Sequence, residues 1–208
     1  MLYSEKFNLL FIAVPKTGTT SFTSALGDVI ESRRNAIVVD GVEVHCGEHD
    51  SLADIASRIG WDKIQSMIVV GAVRNPWDRL VSSYHFYRNG RVASRVFKGK
   101  QTNPMAILNV IAAKLLPFPL WLRLYRTHTC YHYLQAPSGG LHVDYLLHLE
   151  SFEEDVSKLC EVLNLKPVEV HHQNKSSRND YREYYTEATR KHVAHRFADD
   201  VKAFNYIF

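Results

Sequence analysis

The sequence predicts an α/β fold, a single domain over residues 1–208 with a mainly parallel central sheet flanked by helices. Three observations carry that prediction. Short continuous apolar runs stand at residues 7–14 ("FNLLFIAV") and 67–73 ("MIVVGAV"), the mark of strands buried on both faces of a parallel sheet, and a third run at 143–149 ("VDYLLHL") also reads as a strand. Each run leads through a sharp turn into a helix pattern with its own start signal. Strands and helices alternate without internal repeat or low-complexity linker, and 208 residues that are 46% hydrophobic suffice for one substantial core.

In chain order, the first run ends in Pro15-Lys16-Thr17-Gly18-Thr19, and Thr20 or Ser21 is expected to cap a helix whose apolar face is Phe22, Ala25, Leu26 and Val29. "AIVVDGVEV", residues 36–44, sets Asp40-Gly41 between β-branched residues, the signal of a tight hairpin. Residues 51–59 place Leu52, Ile55, Ala56 and Ile59 at helical spacing. After the second run, Asn75 caps a helix and Pro76 takes its first position. The third run opens into "SFEEDVSKLCEVL" through a Ser151-x-x-Glu154 capping box, with Phe152, Val156, Leu159, Cys160 and Leu163 as core face. Residues 174–185 are polar and loop-like, and 186–204 read as one amphipathic helix through Val193, Phe197 and Val201.

Bulk properties narrow the function classes. Cys46, Cys130 and Cys160 are odd in number and lack CxxC spacing, which argues against a disulfide framework. Residues 1–8 carry Glu5 and Lys6 and pass straight into a strand pattern, so no signal peptide is read and the expectation is a cytoplasmic protein. The most apolar stretch, 104–125, is broken by Asn109, Lys114, Pro117 and Pro119, so no transmembrane segment is expected; a buried or substrate-facing helix is expected ahead of a membrane anchor, and a peripheral membrane contact stays open. The net charge of +3 hides an asymmetry: residues 79–143 contain no Asp or Glu but nine Lys and Arg, while the rest of the chain nets −6. A surface that attracts anions follows. The bases are thinly spread and match no nucleic-acid module, so nucleic acid is not expected as a partner.

The chemistry concentrates at the strand ends. Backbone N–H groups where a loop enters a helix bind anions, and Lys16 adds a point charge beside them. "AVPKTGTTS" fails the triphosphate pattern G-x-x-x-x-G-K-[ST], because there is no first glycine and Lys16 precedes Gly18. A lysine so placed faces a leaving oxygen better than the length of a β,γ-diphosphate. The end of the second run, Val73-Arg74-Asn75, offers no aspartate for Mg²⁺. Arg74 suits bidentate contact with phosphate, and Ser82 lies about two turns into the following helix. The alternative for both is capping or pairing within the helix.

"PKTGTTS" resembles the 5′-phosphosulfate loop of sulfotransferases that use 3′-phosphoadenosine 5′-phosphosulfate (PAPS), and "RNPWDRLVSSY" resembles their 3′-phosphate motif, R-N-P-x-x-R-x-x-S-x-Y. "YLLHLESFEEDVSKLCEVLNL", "HHQNKSSRNDYREYYTEATRKHV" and "DDVKAFNYIF" are similar to the carbohydrate, family-2-like branch. The resemblance implies a P-loop-like domain that binds PAPS through Lys16, Thr17, Gly18, Thr19, Thr20 and Ser21, with Arg74 and Ser82 on the 3′-phosphate. Lys175 and Arg178 of "NKSSR" either close over the nucleotide or belong to a solvated loop. The implied reaction is in-line transfer of a sulfuryl group to an acceptor hydroxyl, on a glycan or small-molecule natural product, releasing 3′-phosphoadenosine 5′-phosphate (PAP) without a metal. Lys16 would stabilise the leaving oxygen, and a base near neutral pH would take the hydroxyl proton. His49 is the first choice for that base, with His45 and Glu48 as rivals. Tyr125 to Tyr133, with His128, His132 and Cys130, either lines an acceptor site or packs in the core. Competing readings are a P-loop nucleotide kinase or NTPase and a nucleotide-binding module without catalysis.

Overall fold

Seven strands and eleven helices form among the residues that the computed structural model describes, 1–100, 103–170 and 178–208, the Arg91 side chain excepted. The strands are β1 (Leu2–Ser4), β2 (Leu9–Ile12), β3 (Arg33–Arg34), β4 (Ala36–Val39), β5 (Val42–His45), β6 (Ile68–Val73) and β7 (Tyr145–His148). The helices are α1 (Thr19–Leu26), α2 (Leu52–Ile59), α3 (Trp61–Gln65), α4 (Pro76–Asn89), α5 (Arg91–Phe97) and α6 (Pro104–Leu115). They continue with α7 (Phe118–Leu124), α8 (Cys130–Leu134), α9 (Phe152–Val162), α10 (Glu187–Arg196) and α11 (Ala198–Ala203). The chain groups into two compact units, residues 1–74 with 128–170 and residues 75–127 with 178–208.

The first unit is built on a five-stranded sheet of order β3-β1-β2-β6-β7. Its β2, β6 and β7 run parallel, with Leu9 opposite Ile68 and Val70 opposite Tyr145, as the apolar runs predict. A turn at residues 5–8, with Asn8 left-handed at φ 46, adds β1 antiparallel to β2, and β3 follows at the edge. Side chains alternate across the pleat. Leu9, Phe11, Val70 and Ala72 join Phe22 of α1 and Phe152, Val156 and Leu159 of α9 in one buried cluster, where Phe11 and Phe22 stack at 3.9 Å. On the other face Gly71 makes room for Leu134 of α8, whose Cδ2 would lie 2.7 Å from a Cβ there. A separate hairpin pairs β4 with β5 through left-handed Asp40 and Gly41.

The second unit is helical. Trp77, Leu80, Val81 and Tyr84 of α4 pack with Phe118, Trp121 and Leu122 of α7 and with Val193 and Phe197. Inside it, Arg79 meets the fully buried Asp200 at 3.7 Å and donates to Thr127 Oγ1 at 3.4 Å.

Three local expectations are corrected. Neither Thr20 nor Ser21 caps α1, which starts at Thr19 with left-handed Gly18 at its N-cap. The capping box at Ser151 is absent, because a 3₁₀ turn, Leu149–Ser151, leads into α9 and the Ser151 hydroxyl donates to Asp155 at 3.0 Å. The final helix is two helices, broken at Phe197, and the break carries Asp200 inward to Arg79. The cysteines are free and buried, and burial raises the thiols of Cys46 and Cys160.

Candidate functional site

Because β2 and β6 are parallel neighbours, their C-terminal ends lie side by side and their exit loops leave the same edge of the sheet. The β2 loop turns sharply through two left-handed residues, Lys16 at φ 68 and Gly18 at φ 94. A Cβ on Gly18 would sit 2.7 Å from Leu149 Cδ1 and 3.6 Å from Phe152 Cε2, so the loop is seated on the start of α9. Thr17 is wholly buried and its hydroxyl donates to the Val14 carbonyl at 2.9 Å, an acceptor that Thr19 Oγ1 shares at 3.4 Å. These hydroxyls brace the turn, and what the loop presents is main chain. Helix α1 has no side-chain cap bond and no acid in its first turn. By contrast α2, α4, α6, α8 and α10 are capped by the side chains of Ser51, Asn75, Asn103, Thr129 and Thr186. The amides of Thr19, Thr20 and Ser21 at this terminus, with the positive end of the helix dipole, suit an anion.

Two side chains of the same unit converge on this loop. Arg74, at the end of β6, donates from Nη1 to the Lys16 carbonyl at 3.1 Å, so its guanidinium lies against the loop. His49, in the segment between β5 and α2, places Nδ1 2.6 Å from the Ala13 carbonyl at the loop's entry. A carbonyl only accepts, so Nδ1 carries the hydrogen in the neutral ring and Nε2 holds the lone pair. The rivals are held elsewhere: His45, on β5, is 81% exposed with Nε2 3.7 Å from Glu43, and the main chain of Glu48 accepts from the Met1 amine at 2.5 Å.

In the second unit Ser82 is half-buried on α4, one turn beyond Asp78. Arg178 pairs with Asp78, and its Nη1 is buried without a hydrogen-bond partner among the described residues. His85, a further turn along α4, bonds Tyr184 Oη at 2.8 Å and is held below its ordinary value by burial, then by Arg178 and Arg88. Lys175 lies outside the described residues.

A family model described as Sulfotransferase family matches residues 1–207. The chain belongs to the sulfotransferase family. Its match is in keeping with the family-2-like branch, and the family is one of enzymes that transfer sulfuryl groups. Searches of the curated proteins and of the solved structures return no significant match to this sulfotransferase. Within it, sequence reasoning missed three residues that the geometry brings to the motifs. Ala13 orients His49, Leu149 seats Gly18, and Asp78 pairs with Arg178. Only Asp78 had a signal, as the acid in the first turn of "RNPWDR".

Proposed function

We propose that this sulfotransferase moves a sulfuryl group from PAPS to the hydroxyl of a glycan or small-molecule natural product and releases PAP. The observation that carries the reading is the junction at α1, an uncapped helix start with the Arg74 guanidinium bonded to the Lys16 carbonyl. The amides of that helix start fit a dianionic phosphosulfate, the turn at Gly18 leaves it no Cβ to displace, and Arg74 offers a cation for a further phosphate. Arg178 Nη1, without a hydrogen-bond partner among the described residues, supports a second anionic contact, taken with Ser82 from the motif resemblance.

Bound there, the donor supplies an activated sulfuryl group on a phosphate leaving group. The amides of Thr19, Thr20 and Ser21 hold the phosphosulfate, and Lys16 meets the charge that grows on the leaving oxygen as its bond to sulfur breaks. Arg74, at the end of β6, takes the 3′-phosphate, a role the motif resemblance gives Ser82 as well, and the same resemblance assigns Arg178 and Lys175 to the nucleotide. His49 takes the acceptor's hydroxyl proton at Nε2, its Nδ1–H fixed on Ala13, as the acceptor oxygen bonds to sulfur in line. The roles need no metal.

Turnover of labelled PAPS with a panel of hydroxyl acceptors, in the presence of a chelator, tests the proposal. Transfer is expected, with His49→Ala slowing it about 10²–10⁴-fold while a PAP thermal shift is retained. A wild-type protein that ignores PAP and is stabilised by ATP with Mg²⁺ instead overturns it.

A further inference from the structure

Seven of the twelve large apolar side chains left exposed among the described residues fall between Phe97 and Leu124. Four of them, Met105, Leu108, Ile111 and Leu115, recur at steps of three and four residues along α6 and so form one stripe. Leu120 and Leu124 make a second exposed pair, one turn apart on α7. Leu115 is 76% exposed and Phe97 69%, far beyond a stray surface leucine.

The stripe is held outward by a firm support. Helix α6 is capped by Asn103, which accepts from the Ala106 amide at 3.1 Å, and starts on Pro104. Its opposite side buries Val110 and Ala113. At its C-terminus Arg88 donates to the Ala113 carbonyl at 2.6 Å, and Tyr84 Oη donates to the Leu116 carbonyl at 2.9 Å. The exposed side is therefore a fixed surface.

Charge identifies what covers it. Exposed Arg95, Lys98, Lys100, Lys114, Arg123 and Arg126 lie on or beside these helices, within the 65 residues that contain no acid. A second copy of the chain docking on the same face would bring these cations together, so self-association is disfavoured. An apolar stripe of Leu, Ile, Met and Phe rimmed by Lys and Arg matches an anionic lipid surface, where the aliphatic groups enter the acyl boundary and the bases meet headgroup phosphates. Helix α6 is about 18 Å long, too short to cross the hydrocarbon layer. Such a length suits a helix lying along an interface, and no described helix is long and apolar enough to span a membrane.

We infer that α6 and α7 form a peripheral docking face for anionic lipid bilayers. Co-sedimentation of the full chain with vesicles of phosphatidylcholine, alone or with about 30% phosphatidylserine, measures it. Binding is expected only with phosphatidylserine, weakened several-fold by molar salt. The triple variant L108E/I111E/L115E is expected to lose at least about tenfold in partitioning, with an unchanged melting temperature because the three side chains are exposed. K98E/K100E/K114E, which leaves the apolar stripe intact, is expected to show a comparable loss. Absence of binding by the wild type, or binding at the wild-type level by either triple variant, overturns the inference. So does a wild-type dimer that the leucine variant converts to a monomer while neither touches vesicles.

Discussion

Strands β2 and β6 each end in a sharp turn into a helix, and the two turns dispose of the orphan amides in opposite ways. After β6, Asn75 spends its side-chain oxygen on the Trp77 and Asp78 amides at 3.1 and 3.4 Å, and Pro76 removes one donor outright. After β2 no side chain caps α1, and the threonine hydroxyls point back at Val14. The first junction thus offers backbone, the second a side chain, Arg74. A rigid cluster of amides suits the reacting group, whose charge distribution changes during transfer, and a bidentate guanidinium suits a phosphate that only anchors.

The largest effects test that division of labour. Lys16→Ala is expected to lower kcat about 10²–10³-fold, as loss of a donor to developing charge does, with a smaller change in donor KM. Arg74→Ala is expected to raise donor KM roughly 10–100-fold, the worth of a charge-assisted bond. Steady-state kinetics on the two variants separate them. If both move the same parameter by the same factor, the two junctions are one device and the comparison breaks.

Gly18→Ala comes next. It combines the left-handed penalty with a Cβ 2.7 Å from Leu149 Cδ1, and the expected cost is about 2–3 kcal/mol of stability in urea. Gly41, at φ 79 in the hairpin, has nothing within 4 Å of its Cβ position, so Gly41→Ala measures the backbone penalty alone at about 1 kcal/mol. Equal costs would mean that the loop is not seated on α9.

What was legible in the sequence is what local pattern encodes. The parallel strands follow from their continuous apolar runs, the Asp40-Gly41 hairpin from its turn residues, and the Asn75-Pro76 start from capping chemistry. Long-range facts were hidden. Nothing near Gly18 announces Leu149, and nothing near residue 197 announces that Asp200 must reach Arg79. The three residues of β1 are too few to show a period. His49 was placed by resemblance, and its orientation by Ala13 is tertiary. The exposed stripe on α6 reads in sequence like a core helix, because composition does not tell which apolar face finds a partner.

A smaller effect sharpens the capping contrast. Asn75→Ala is expected to cost about 1–2 kcal/mol, since it removes the cap and the bond from Asn75 Nδ2 to the Ile207 carbonyl at 2.8 Å. Thr20→Ala, at a helix start with no side-chain cap, is expected to stay within about 0.5 kcal/mol. Chemical denaturation of both variants decides the matter, and a costly Thr20→Ala would reveal a cap at α1 after all.

The smallest effect compares the two units through pH. In the first, His132 is held below its ordinary value by burial and by His128, stacked on it at 4.1 Å, against the opposing pull of Asp54. In the second, burial, Arg178 and Arg88 lower His85. For each, the unfolded chain binds more protons just below about pH 6.5, so stability is fully present above that value and is lost as the pH falls towards the folded values. The melting temperature is expected to fall between pH 7 and 5.5, and His132→Gln or His85→Gln to flatten part of that slope. A melting temperature that holds or rises on acidification would show that folding does not hold these imidazoles neutral.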